Sequence, residues 1–213
     1  MNRLLYGRVA ILSCLIILAP AMLVSTSNAQ DASGQNLHID AANNGASEKP
    51  RISVSPLLTF SGQALIPAGG SMLARSSDGV YMSLHAAGLT PGTVATAWWV
   101  FFNNPKKCAT TPCSVADLSN PEVQPSLVNA TGRIVGADGT ADFGAFKAEG
   151  DTTGAFTGPG LLNAKKAEIH FVVRTHGPAI SDDPQTLAQQ LSMFNGGCPP
   201  NTCANLQVSI HQP

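Results

Sequence analysis

The chain has 213 residues, a formal net charge of −1 and 12% charged residues, where about a quarter is usual. That composition excludes a nucleic-acid surface. Neutralising phosphates needs a basic footprint, and the densest basic clusters here are the pairs Lys106-Lys107 and Lys165-Lys166. The length suits one domain with a sizeable core.

The first residues read as an export signal. Arg3 and Arg8 precede an apolar run from Val9 to Val24, and Ser27 and Ala29 suit cleavage after Ala29. The run is short for a membrane span of about 20 residues, so residues 1–29 are expected to be removed. Lipidation at Cys14 is not expected, because the apolar run continues past it. Cleavage removes Arg3 and Arg8 and leaves ten basic against thirteen acidic residues, net −3. A secreted or periplasmic protein is expected, with no transmembrane segment once the signal is gone. Residues 30–50 lack apolar periodicity and read as a flexible lead-in; His38 lies there. The folded domain is placed at 51–213.

Ile52, Val54 and Leu58 begin a strand that Pro56 interrupts, as at an edge or a bulge. Met72–Arg75 and Val80–His85 flank Ser77-Asp78-Gly79, a hairpin signal. Gly88-Leu89-Thr90-Pro91-Gly92 is a turn. Val94–Phe102 (VATAWWVFF) is the most apolar strand and is expected to be central. Trp98 and Trp99 must point to opposite faces. One belongs to the core; the other is covered by the helix predicted downstream, or is an exposed sugar-stacking platform. Arg133–Ala137 and Thr140–Ala148 flank Asp138-Gly139, a second hairpin signal. Ala167–Pro178 (AEIHFVVRTHGP) alternates, with Ile169, Phe171 and Val173 opposite Glu168, His170, Arg174 and His176. Asp182-Asp183-Pro184 opens a helix on which Leu187, Leu191 and Phe194 share a face; Asn195-Gly196-Gly197 stops it. Leu206, Val208 and Ile210 alternate with Gln207, Ser209 and His211 in a final strand. The pattern predicts an all-β, mainly antiparallel, single β-sandwich-like domain with one short helix near the C-terminus.

After cleavage four cysteines remain, Cys108, Cys113, Cys198 and Cys203, in two identical spacings, CATTPC and CPPNTC. An even count in an exported chain reads as disulfides, most simply two local bridges, 108–113 and 198–203. A four-thiolate zinc site is the rival.

Candidate site residues follow from the polar row. Glu168, His170, Arg174 and His176 read most simply as a solvated strand face with weak surface ion pairs. The alternatives are a buried polar site between sheet and helix, or metal ligation. Six residues of strand separate His170 from His176 by about 20 Å, so one metal cannot take both. A metal would use His176 or His170 with His85 or His211. His176 sits at a strand end, where it also suits hydrogen bonding to the turn. Asn103 and Asn104 lead into the cysteine loop and form a second candidate surface, or simply bond backbone. No nucleophile elbow, His-Glu-x-x-His, P-loop or dinucleotide fingerprint is present.

Three resemblances are carried by particular residues. Gly88–Thr93 (GLTPGT) resembles the tyrosine-corner region of fibronectin type III domains, with Ala95 where those carry the tyrosine. Arg174–Ala179 (RTHGPA) resembles the His-Gly-Pro-Ala motif of CHRD domains, with Arg174 in place of a first histidine. More broadly, AWWVFFNNPKKC (97–108), GPGLLNAKKAEIHFVVRTHGPAI (158–180) and CANLQVSIH (203–211) resemble an uncharacterised family of exported bacterial proteins, which implies no activity. The expected function is a disulfide-stabilised binding or envelope-associated protein without catalysis or cofactor. Its partner would be a small molecule, a glycan or an envelope protein. The alternatives are a transition-metal protein using His85, His176 and His211, and a metal-free hydrolase or isomerase using Glu168 and His170. The last predicts a pocket over that strand.

Overall fold

The computed structural model describes residues 49–213; the expected signal segment and nearly all of the lead-in lie outside the described residues. Among the described residues nine strands form, β1 (Arg51–Thr59), β2 (Leu65–Arg75), β3 (Gly79–Ala86), β4 (Thr93–Phe102), β5 (Pro125–Ile134), β6 (Ala141–Ala148), β7 (Ala155–Thr157), β8 (Glu168–Pro178) and β9 (Ala204–His211). One α-helix, α1 (Pro184–Ser192), lies between β8 and β9. The strands make a single sheet in the order β6-β3-β2-β1-β9-β8-β4-β5-β7, and every pairing is antiparallel. The all-β antiparallel class with one late helix is therefore what the chain adopts. The packed layers come from one sheet that curls. Its concave side gathers Leu84 and Phe143 from one half and Trp99, Val128 and Phe171 from the other into a single buried cluster.

The Asp138-Gly139 turn forms, with Gly136 N–H donating to Thr140 O at 3.0 Å. It does not join a paired hairpin. β5 spends its two edges on β4 and β7 while β6 pairs with β3, so the turn bridges two distant strands of the curled sheet. Pro56 does mark a bulge, between Pro56 and Leu58, but β1 is an interior strand between β2 and β9.

β4 explains the layering. Its alternate residues Ala95, Ala97, Trp99 and Phe101 enter the concave core. Trp98, Val100 and Phe102 point outward, as period-2 geometry demands, yet are also buried, in a second cluster with Val172 and Val208. That outer layer is closed by the connection from β4 to β5 and by Phe194, just past α1. Asp183 caps α1, its side chain accepting from Gln185 and Thr186 N–H. Gly132 lets the helix seat on β5: a Cβ there would lie 2.2 Å from Leu191 O. By contrast, Ile52, Val54, Tyr81 and Phe146, on β1, β3 and β6, stay exposed. Both local disulfides form, Cys108–Cys113 and Cys198–Cys203. Among the described residues no helix is long and apolar enough to cross a membrane.

Candidate functional site

The polar row of β8 is not a solvated face. Glu168 is 1% exposed, His170 7%, Arg174 8% and His176 0%. A single strand's alternation cannot reveal this, because the cover comes from segments distant in sequence.

Glu168 is the anchor. Its Oε1 accepts from Cys113 N–H at 2.7 Å and from His170 Nε2 at 2.7 Å. Its Oε2 accepts from Gln212 Nε2 at 3.0 Å. One buried carboxylate thus ties together β8, the first disulfide loop and the chain after β9. The loop has its own brace. Asp117 accepts from Ala109 N–H at 2.8 Å and from Ser114 N–H at 2.7 Å, and these backbone donors hold its carboxyl below the usual carboxylate range.

His170 lies against Phe102, ring centres 4.9 Å apart, and lines two adjoining hollows. One, of about 110 Å³, is walled by Trp98, Phe102, Leu127, Val172 and Val208 and lies beneath Val115 and Leu118. The other, of about 290 Å³, opens beside Cys113, Ser114 and Ile210. Phe60, Val115, His170 and Val208 line both, so together they form one apolar groove with His170 in its wall. A third cleft, of about 450 Å³, meets the first at Trp98 and Phe194.

Arg174 sets the position of Phe194. It donates from Nε to Phe194 O at 2.8 Å and from Nη1 to Asn205 Oδ1 at 2.9 Å. Its guanidinium lies 4.0 Å from the Phe194 ring centre, a cation–π contact, and burial lowers its pKa. Phe194 meets Trp98 edge-on at 5.1 Å and stacks on Phe156 at 4.7 Å. Trp98 is therefore core to the outer layer and not an exposed platform.

His176 faces different partners. Its Nδ1 donates to Gly196 O at 3.0 Å, and its Nε2 accepts from Thr96 Oγ1 at 2.8 Å, which in turn accepts from Trp98 Nε1. Cys203 Sγ lies 3.4 Å from Nδ1. Burial lowers its pKa, helped by nearby Arg174 and opposed by the Gly196 carbonyl. Gln190, the buried residue of α1, reinforces this corner by donating to His176 O and Pro178 O; helical periodicity gave no sign of it.

The other candidates stand apart from one another. His85 pairs across β3 and β6 with Asp142 at 2.6 Å. Asn103 donates to Gln124 O and Gly160 O and accepts from Leu162 N–H, while Asn104 donates to Glu122 O. Both amides bond backbone. His211 lies opposite Ile169 in register, on the concave side. Ser53 and Ser71 hydrogen-bond its two ring nitrogens, each at 2.8 Å, and Ser71 also meets Ser209 at 2.5 Å. Arg75, beside it, donates to four backbone carbonyls, those of Ala164, Ala167, His211 and Gln212. Burial, the neighbouring Arg75 charge and nearby His170 push His211 down to about 4. This interior serine–histidine cluster was not legible; its only signal is serine recurring on the inward positions of β1, β2 and β9.

Three ligand-type atoms gather within 4.8 Å of one another, those of His176, Cys198 and Cys203. His85 and His211 are not part of that group.

No protein-family model, no curated protein and no solved structure matches the chain. The fold and site define a class by themselves, a curled antiparallel sheet carrying two stapled loops, with a polar row buried beneath them. A carboxylate–imidazole pair in that row borders an apolar groove.

Proposed function

We propose that the protein is an extracytoplasmic binding protein, without catalysis, that holds a small apolar molecule in the groove above His170. One observation carries this reading: a hollow of about 110 Å³ with nearly all-apolar walls remains within the outer layer. Concave, mostly apolar hollows with a few placed polar groups are the usual form of ligand sites. The Arg3–Ala29 signal pattern and the paired cysteines support export. Toluene titrated into the oxidised protein is expected to shift the methyl resonances of Val172 and Val208. Val115→Asp, a change at the exposed lip, is expected to weaken that binding about tenfold while leaving the fold intact. Unmoved methyl resonances at saturating toluene overturn the reading.

The clustering of His176, Cys198 and Cys203 favours a second reading, a metal site available only in the reduced chain. One imidazole nitrogen and two thiolates suit zinc or copper(I). A dithiol reductant would supply the two electrons and two protons that open the disulfide, and metal binding would release the thiol protons. After such reduction, elemental analysis is expected to find one zinc per chain, and none in His176→Gln. A reduced chain that takes up no zinc removes this reading.

A further inference from the structure

We infer that the molecule held by the groove carries a hydroxyl donor on a small apolar body, as a phenol or short alcohol does, and that His170 Nδ1 accepts from it. This rests on the groove reading. The geometry of β8 supplies the acceptor. Glu168 Oε1 accepts from His170 Nε2 at 2.7 Å, which places the ring hydrogen on Nε2 and offers Nδ1 as a lone pair. Nδ1 has no hydrogen-bond partner among the described residues. It is also not one of the sealed, unpartnered atoms, which are Arg75 Nε, Trp99 Nε1, Asn129 Nδ2 and Gln207 Oε1. On a ring that lines both hollows, Nδ1 is the one polar atom left open to an occupant.

The walls do not satisfy it. No donor of Asn205, on the smaller hollow, is hydrogen-bonded to it, and Gln63 and Ser114, on the larger one, donate instead to Phe60 O and Asp117 Oδ2. The partner of Nδ1 must therefore come from outside, as water or as a ligand group that donates. Water in the smaller hollow would find few further partners, and a stable buried water needs two to four. A hydroxyl attached to an apolar body satisfies Nδ1 and the walls together. Size suits a single ring, since a dry cavity of about 150 Å³ takes benzene and the smaller hollow shares four wall residues with the larger. A carboxylate ligand is disfavoured because the Glu168 carboxylate lies directly behind the ring. Glu168 is thus a positioning residue that fixes which nitrogen faces the groove.

The test compares phenol with toluene on the full oxidised chain by NMR titration. Phenol is expected to bind about tenfold tighter, one net hydrogen bond's worth of selectivity. The Nδ1 nitrogen resonance of His170 is expected to move with phenol and not with toluene. In His170→Phe, which keeps a ring of similar size, the preference is expected to vanish. Equal binding of phenol and toluene by the native protein overturns the hydroxyl inference and leaves the groove reading standing. A preference that survives in His170→Phe, or a silent Nδ1 resonance, also overturns it. Failure of both compounds to bind overturns the groove reading and this inference together.

Discussion

Replacing Glu168 with alanine is expected to cost about 3–5 kcal/mol of unfolding free energy, the range for breaking one side of a buried polar constellation. The carboxylate is 1% exposed. Its removal strands two buried donors, Cys113 N–H and His170 Nε2–H, and releases the exposed Gln212 amide to solvent. Each sealed donor without a partner costs about 1–3 kcal/mol, and the two losses overlap because the freed loop can relax. Glu168→Gln retains one acceptor oxygen and is expected to lose about half as much. Urea unfolding of the oxidised protein gives both values. Hydrogen exchange at the Cys113 amide adds a local reading, since it should pass from protected to fast in the alanine variant. A loss below about 1 kcal/mol, with Cys113 still protected, would show that the carboxylate is not the anchor.

Acid is expected to weaken the fold well above the range where carboxylates titrate, through His211. In the folded protein its pKa is about 4, against about 6.5 in an unfolded chain. Between those values the unfolded chain binds a proton that the folded one refuses. Stability is therefore intact above about pH 6.5, falls as pH drops toward about 4, and loses nothing further from this group below that. The ceiling is about 3 kcal/mol. His176, also lowered by burial, adds to the fall with the same sign. The lowered carboxyls of Asp117 and Asp183 act with the same sign but lower in pH. Their stabilisation is present above the ordinary carboxylate pKa and is lost only as pH falls through their depressed folded values. Unfolding free energy measured from pH 7.5 to pH 4.5 is expected to drop by about 2–3 kcal/mol, and His211→Gln is expected to remove most of that slope whatever it does to stability at pH 7.5. A native profile flat across this interval would contradict the buried neutral state of His211.

Local rules reach most of the strands, the helix and the cysteine pairing, because each is written in neighbouring residues; they miss β7 and most of β5, which the Arg133–Ala137 reading overlaps by only two residues. Ser77-Asp78-Gly79 turns β2 into β3, and Asp183 caps α1, as their chemistry demands. What local rules could not reach was partnership. Asp138-Gly139 makes its turn, but nothing near it says that β6 pairs with β3. The row on β8 was read as wet because its four polar residues alternate with apolar ones. It is dry because Cys113, Phe194 and Gln212, all distant in sequence, close over it. β9 shows the same limit in reverse. Its apolar residues would be expected to face the main core, yet Gln207, Ser209 and His211 lie on the same side as Val173, Phe171 and Ile169. Gln207 donates to Ala87 O, and His211 is held by Ser53 and Ser71. Val208 packs in the outer layer instead. Which face of an alternating strand is inside is decided by the partners available there.

The strand order carries a consequence for the order of events during synthesis. β9 is the ninth strand in the chain but the fifth in the sheet, set between β1 and β8. The group β6-β3-β2-β1 and the group β8-β4-β5-β7 meet in the hydrogen-bonded ladder only through it. A chain emerging from the ribosome can pair each group within itself, but the span between them stays open until residues 204–211 have appeared. Completion of the sheet therefore waits for residues 204–211 and depends on long-range closure, the slow kind of contact. Until those residues have appeared the sheet stays incomplete, the condition in which a polypeptide can still be threaded through a narrow pore.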